Sequence, residues 1–444
     1  MTRSPAVDFP SEEGEKRAER EGTAGRRATA TDTAPATEAA LATDTAPGTD
    51  AASAPATDAA SAPGTATDPA TGTTPARRGR RRAVLLLAVV IAWTLFIAAR
   101  TAFSGRWWLW NGLGLAPPLA HLLIPLALLI PAALVARRRR VTLGLVLVSL
   151  LLGSWQSGLH PGALLHGRDE VPADALRVVS WNTFFWDQDS DPDDFYAYLK
   201  SRPADVYLLQ EYQNARDGEP VPIDRLARVE AEFPGYHVAT AGEFLTLSRY
   251  PLTAVTALRP DGLAAPDTAW ADYWNVRALR TDLTVDGRTV SLYNTHLPDL
   301  LNVDRNPLTP SYHRSVRQLS ERRERHFGEL RADLDANENP VVLAGDINVL
   351  PGTGDLRWFR GLRDAADDGD SLYPATFPVR GPALWRLDWA FVSPGIDVHR
   401  HVLDDPPADL STHRLIDLRL SLPDTAPDSA PDTAPAPDSD KDRS

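Results

Sequence analysis

Cysteine is absent from all 444 residues. That excludes disulfides, thiolate nucleophiles and zinc sites built on sulfur, and it suits an extracytoplasmic location without requiring one. Bulky apolar residues are scarce at both ends. Up to Pro75 the chain is mostly Ala, Thr, Pro and Asp, with imperfect repeats such as TDTAP at Thr31–Pro35 and again at Thr43–Pro47, and nothing there can bury a core. The tail from Pro423 repeats the same vocabulary. Residues 1–76 and 423–444 are therefore expected to be disordered. An excess of positive charge is lacking too. The formal charge of −13 argues for solubility and against indiscriminate binding to nucleic acid.

What the ends lack is concentrated between Ala83 and Trp155. Three apolar segments, residues 83–103, 113–136 and 141–157, are each near the ~20 residues that cross a bilayer. No polar face interrupts them, as the helical hairpin of a soluble domain would require, and the first begins too far from Met1 for a secretory signal. Pro117, Pro118, Pro125 and Pro131 are tolerable in membrane helices whose neighbours satisfy the freed carbonyls. Basic clusters stand before the first segment, Arg77–Arg82, and between the second and third, Arg137–Arg140; both should face the cytoplasm. Trp107, Trp108 and Trp110 fit an aromatic belt on the opposite side. The expectation is a membrane anchor over 77–158 with three transmembrane helices, a cytoplasmic N-terminus, and everything beyond Gly158 extracytoplasmic.

From 170 to 422 the pattern changes to one large domain. LRVVSWNTFF, VYLLQE, FLTLSRY, VSLYNTHL, VVLAGDIN, LDWAFVS and LIDLRLSL read as strands. Asp191 and Pro192 read as the cap and first residue of a helix. From Arg314 to Ala336 the apolar positions Val316, Leu319, Phe327, Leu330 and Leu334 mark a helix with one face on a sheet, and Arg314, Arg317, Arg322, Arg323 and Arg325 read as its wet face. His399 and His401 read as the exposed side of an edge strand. The alternation of strands and helices implies a layered α/β domain.

The polar residues of this domain collect at strand ends: Asn182, Glu211, Asn294 with His296, Asp346 with Asn348, Asp388 and His413. A strand's period of two lets Asp346 and Asn348 project the same way, as it does Asn294 and His296. The set suits metal-assisted attack on phosphorus. A hard cation such as Mg²⁺ takes oxygen ligands, here Glu211 helped by Asn182; Asp346 takes a proton from water, and histidines hold the phosphoryl oxygens. The loop around Trp270, Tyr273 and Trp274 offers either stacking on substrate or core packing.

In order, the motifs WN, LQE, SRYP, NTHL, GDIN, TFP, LDWAFVSP and STHR resemble the endonuclease/exonuclease/phosphatase superfamily over Leu176 to Leu422. The resemblance implies a four-layered α/β/β/α sandwich, two packed mixed sheets flanked by helices, with the site at their common edge. It implies Glu211 as principal Mg²⁺ ligand (Mn²⁺ substituting) beside Asn182. Asp346 would activate water, with Asn348 orienting it, and His296 would contact the phosphoryl group. His413 would stabilise the transition state with its ring fixed by Asp388. Asn182, Asn294 and Trp274 would contact substrate, and Arg249 would be structural. The sequence departs from the family at Ser411-Thr412-His413, where Thr412 stands in place of an Asp. The expected function is a membrane-anchored, metal-dependent phosphoesterase acting outside the cytoplasm on nucleic acid, a phospholipid head group or a sugar or inositol phosphate, with no obligate protein partner. The alternative is a weakened or inactive member that binds such groups at the membrane.

Overall fold

Helices α1 (Pro75–Phe103), α2 (Leu109–Leu113), α3 (Ala120–Val135) and α4 (Arg139–Gln156) occupy the three apolar segments in the computed structural model. It describes residues 75–423 except 114–115, 136–137, 166–169, 217–218, 263–274, 301–305, 379–380 and 408. The regions expected to be disordered thus lie almost wholly outside the described residues. Among those described, one helix is long and apolar enough to cross a membrane, α1 over Arg78–Phe103. The expected second span starts late, at Ala120, because Pro117 and Pro118 do not continue a helix from residue 113. In the third, two arginines dilute the apolar run. Three membrane spans are therefore reduced to one that qualifies by length and composition. The three helices pack through Val90, Ala132 and Val146, and Thr94 Oγ1 meets Ser149 Oγ at 2.8 Å.

Every run expected to be a strand is one. In the first sheet β1 (Leu176–Asn182) pairs in parallel with β2 (Val206–Gln210) and antiparallel with β14 (Leu415–Ser421). β13 (Asp397–Asp404) flanks β14, and β6 (Phe244–Ser248) then β5 (His237–Ala241) flank β2. The second sheet runs β11 (Arg363–Asp364), β12 (Asp388–Val392), β10 (Val341–Asp346), β9 (Arg288–His296), β8 (Ala278–Val285) and β7 (Leu252–Leu258). A small hairpin, β3 (Gln213–Arg216) and β4 (Glu219–Pro222), stands apart. Alternate residues of the two sheets face each other, Val178, Leu208 and Leu418 against Leu292, Val342 and Ala390. On the outer face of the first sheet, α5 (Pro192–Ser201) and α6 (Leu226–Glu232) bury Phe195, Leu199 and Val229 against Val179, Tyr207 and Leu209. On that of the second, α7 (Pro310–Ala336) buries Phe327, Leu330 and Leu334 against Tyr293 and Leu343. These are the four layers of the expected sandwich.

Local signals account for most boundaries. Asp191 caps α5 by accepting from Asp193 N at 2.8 Å, with Pro192 in the first turn. α7 starts four residues before the expected Arg314, because Thr309 accepts from Tyr312 N at 3.3 Å and Pro310 holds the first turn. Two expectations fail by burial. Arg323 is not on the wet face but is buried, donating to the carbonyls of Pro298 and Asn348. His401 is buried too, because a bulge between Val398 and Arg400 shifts the phase of β13.

Candidate active site

Strand β10 is apolar and buried until Asp346. Gly345, with φ of 145°, is needed where β9 runs alongside: a Cβ there would collide with the Thr295 carbonyl. The strand ends at Asp346, so strand periodicity does not aim Asn348. Instead Asn348 adopts a left-handed φ of 50°, its N–H donates to Asp346 Oδ1 at 3.1 Å, and its side-chain amide donates to the Leu297 carbonyl at 3.0 Å. The turn fixes the acid's orientation from the backbone.

Asn182, at the end of β1, joins the two sheets at this rim. Its Nδ2 donates to Glu211 Oε1 at 3.0 Å and to Asp346 Oδ2 at 3.1 Å. Glu211 Oε2 also accepts from Phe185 N at 3.1 Å. That contact needs an unusual backbone: Phe184, Phe185 and Trp186 all take positive φ, at 51°, 66° and 53°, and Glu211 itself sits at 59°. Bulky side chains in this region cost on the order of 1–3 kcal/mol each, and the surrounding structure bears that cost to seat one carboxylate.

Two histidines flank Asp346, each with its Nδ1 on a buried acid. His296 Nδ1 meets Glu243 Oε2 at 2.9 Å and its Nε2 lies 3.8 Å from Asp346 Oδ2. His413 Nδ1 meets Asp388 Oδ2 at 2.9 Å and Asp346 Oδ2 at 3.8 Å. Asp388 takes its place at the start of β12, where Thr376 Oγ1 accepts from its N–H at 3.1 Å. Ser411 Oγ donates to the Asn182 carbonyl at 2.8 Å and accepts from His413 N at 2.9 Å, so the loop carrying His413 is tied to β1. Thr412 Oγ1 is buried without a partner.

Burial alone would lower both histidines. The Glu243 carboxylate outweighs it for His296, which is pushed up to about 10, and Asp388 outweighs it for His413, pushed up to about 9; both rings are cations at neutral pH. Burial and then Asp388 push Asp346 up to about 6. Burial also raises Glu211, which His296 only partly offsets. Glu243, 1 % exposed, is held below the usual carboxylate range by His296 and Arg277 against the pull of burial. Glu243 was missed in the sequence because it stands in the two-residue turn Gly242–Glu243 between β5 and β6 rather than at the end of a long apolar run; its only signal is an acid next to the fully buried FLTLS.

A hard divalent cation fits this donor set. Glu211 and Asp346 are buried, share one amide, and both bind a proton more readily than an exposed carboxylate, so added positive charge would relieve them. Among the described residues, a cluster of potential ligand atoms nearby is formed by Asp346, Asp388 and His413. There, however, the His413 nitrogen that faces the acids, Nδ1, is already hydrogen-bonded to Asp388 Oδ2 at 2.9 Å, so it has no lone pair free for a metal. A second cluster, His160, Asp364 and Asp367, contains the Arg386 guanidinium 3.1 Å from His160 Nε2, which repels a cation.

The structure thus brings together Asn182, Glu211, His296, Asp346, Asn348, Asp388 and His413. Asn294 shares the face of His296 but sits one step deeper. Fully buried, it donates to the Leu209 and Leu245 carbonyls at 3.0 and 3.2 Å and accepts from Gln210 Nε2 at 2.7 Å. Its amide ties the sheets together and has no contact left for substrate. Trp274, Trp270 and Tyr273 lie outside the described residues. Arg249 packs over Tyr236 and donates to its hydroxyl at 2.8 Å.

Solved structures similar to the chain include an endonuclease/exonuclease/phosphatase from Beutenbergia cavernae, 20% identical over 56% of this chain and 72% of that one, with a TM-score of 0.38. A mannosyl-6-phosphatase from Bacteroides thetaiotaomicron is 16% identical over 56% of this chain and 100% of its own, with a TM-score of 0.38. Sphingomyelinase C from Streptomyces griseocarneus is 19% identical over 55% and 99%, with a TM-score of 0.37. No curated protein matches the sequence. The sequence model of the endonuclease/exonuclease/phosphatase family matches residues 179–421, more than half of the chain and every residue of the rim, and the chain belongs to that family.

Proposed function

We propose that the chain is a membrane-anchored phosphoesterase, dependent on a divalent metal, of which Mg²⁺ suits the oxygen ligands best, and acting outside the cytoplasm. The observation that carries the chemistry is the Asn182 amide shared by Glu211 and Asp346, with two imidazolium rings 3.8 Å from Asp346. Glu211, assisted by Asn182, would hold the metal, which when bound polarises a phosphoryl oxygen and offsets charge that builds on it. Asp346 accepts the proton of the attacking water. Its orientation for that step comes from Asn348 N and Asn182 Nδ2. His413, anchored through Nδ1 to Asp388, offers Nε2–H to a phosphoryl oxygen, and His296, anchored on Glu243, faces the same centre. Orientation toward the outside is supported by the arginines before α1, the helix long and apolar enough to cross.

The test is turnover of soluble phosphodiesters and phosphomonoesters by the detergent-solubilised full chain with Mg²⁺, Mn²⁺ or EDTA. EDTA should abolish turnover, and Asp346→Asn should lower it by about 10²–10⁴-fold. An Asp346→Asn variant as active as the parent removes Asp346 from its role, and activity that survives EDTA removes the metal. The buried, unpartnered Thr412 hydroxyl favours a second reading, a weakened member that binds phosphate esters; binding without turnover would establish it.

A further inference from the structure

We propose that the ester this site takes is the phosphate head group of a lipid in the bilayer that holds the anchor; the inference rests on the phosphoesterase reading above. Three segments belonging to the rim lie against one end of the anchor. Beyond Asp346, the Pro351 carbonyl accepts from Arg100 Nη2 at 3.2 Å, and Gly352 packs against Gln156, the last residue of α4. Farther along, Gly354 N donates to Ser104 Oγ at 3.1 Å and Arg357 Nη1 to the Gly105 carbonyl at 2.5 Å. Ahead of Asp388, the Leu372 carbonyl accepts from His160 N at 2.9 Å, and Arg386 Nη1 lies 3.1 Å from His160 Nε2. After His296, the first turn of α7 places His313 with its ring 6.0 Å from that of Trp108.

The residues touched, Arg100, Ser104, Gly105, Trp108, Gln156 and His160, all sit at or just beyond the C-terminal ends of α1 and α4. Four residues of chain lie between Asp346 and Pro351, five Cα steps, so the reacting edge is no more than about 18 Å from that end of the anchor. The same segments expose large apolar side chains: Trp107 between α1 and α2, Leu165 beyond α4 at 87 % exposure, and Leu308 just before α7 at 89 %. Unpaired leucines and a tryptophan beside the end of a membrane helix suit the interface between head groups and acyl chains. A rim held there meets lipid phosphate at far higher effective concentration than any solute.

The experiment uses the full chain reconstituted in phosphatidylcholine vesicles carrying phosphatidylglycerol or phosphatidic acid, a lipid diester and a lipid monoester. Glycerophosphoglycerol and glycerol phosphate serve as their chain-free counterparts. Release of phosphate or phosphorylated head group should be at least about tenfold faster from one of the lipids than from its counterpart at equal bulk concentration. The double variant Leu165→Asp/Leu308→Asp should lose that advantage while turning over the soluble ester as the parent does. Soluble esters hydrolysed as fast as, or instead of, their lipid forms would overturn the lipid assignment and leave the phosphoesterase standing. Hydrolysis of neither these nor any other phosphate ester would overturn both.

Discussion

Glu211 is a carboxylate buried with only an amide and one backbone N–H for partners, beside three further acids of the rim. Glu211→Gln keeps the shape and one of the two hydrogen bonds, since its amide nitrogen cannot accept from an N–H, while removing the charge that burial disfavours. Without metal this variant should melt higher than the parent, by about 2–4 °C for each kcal/mol by which relief of the buried charge exceeds the lost hydrogen bond. On the proposed reading it should also lose the stabilisation expected of Mg²⁺ in the parent, which grows with the logarithm of metal concentration above Kd. Melting curves with EDTA and with a Mg²⁺ series check both halves; a variant still stabilised by Mg²⁺ would remove Glu211 from the metal site. At this scale much was legible. Asn182, Glu211, His296, Asp346, Asp388 and His413 each stand at the end of an apolar run, and the ends of sandwiched strands converge. Glu243 was hidden in a tight turn. Asn348 was found for the wrong reason, since a left-handed turn rather than strand periodicity positions it.

Elements are held in register by contacts that periodicity does not reveal. Arg323 looks like one charge among several on an Arg- and Glu-rich helix, yet it enters the interior to gather the Pro298 and Asn348 carbonyls, because backbone turned out of a sheet needs donors. The three consecutive left-handed residues after β1 likewise follow from tertiary demand, since no residue in FFW favours that conformation. Arg386 and Asp364 show the same principle in a pair whose loss can be measured. The guanidinium makes two 2.7 Å bonds to Asp364 and lies over Trp389, 3.7 Å from its ring centroid, bracing β11 against the chain that leads into Asp388. Burial would raise Asp364, but Arg386 holds it below the usual carboxylate range. A group depressed in the folded state stabilises above its unfolded pKa, about 3.9 for Asp, and that contribution is lost as pH falls through the lower folded value. Asp364→Asn should therefore be less stable than the parent at pH 7, by about 3–5 kcal/mol for breaking a buried pair. The gap should narrow as melting is followed down into the acid range below the unfolded pKa. A gap independent of pH would show that the charge of Asp364 contributes nothing.

For the whole molecule the question is whether the helices α1–α4 and the domain move independently. The sequence made them separate units, with a change of composition near residue 158 and no motif spanning it. The structure instead seats the domain on α1 and α4 through Arg100, fully buried, whose Nη1 donates to Gln156 Oε1 at 2.8 Å while Nη2 holds the Pro351 carbonyl. Such a contact is illegible in sequence because its partners are 56 and 251 residues away and one of them is a backbone oxygen. Arg100→Met keeps much of the apolar stem and removes the donors. Leaving those two buried acceptors unsatisfied costs about 1–3 kcal/mol each. That cost falls on the junction rather than on the sandwich core, whose strands share no hydrogen bond with Arg100. The expected result, in the full chain in bilayers, is amide exchange at least about tenfold faster over residues 347–357, with exchange in β1 and β9 unchanged. Unchanged exchange at 347–357 would show that the junction is held without Arg100, whereas faster exchange throughout both sheets would make Arg100 a support of the domain itself rather than of its seat on α1 and α4.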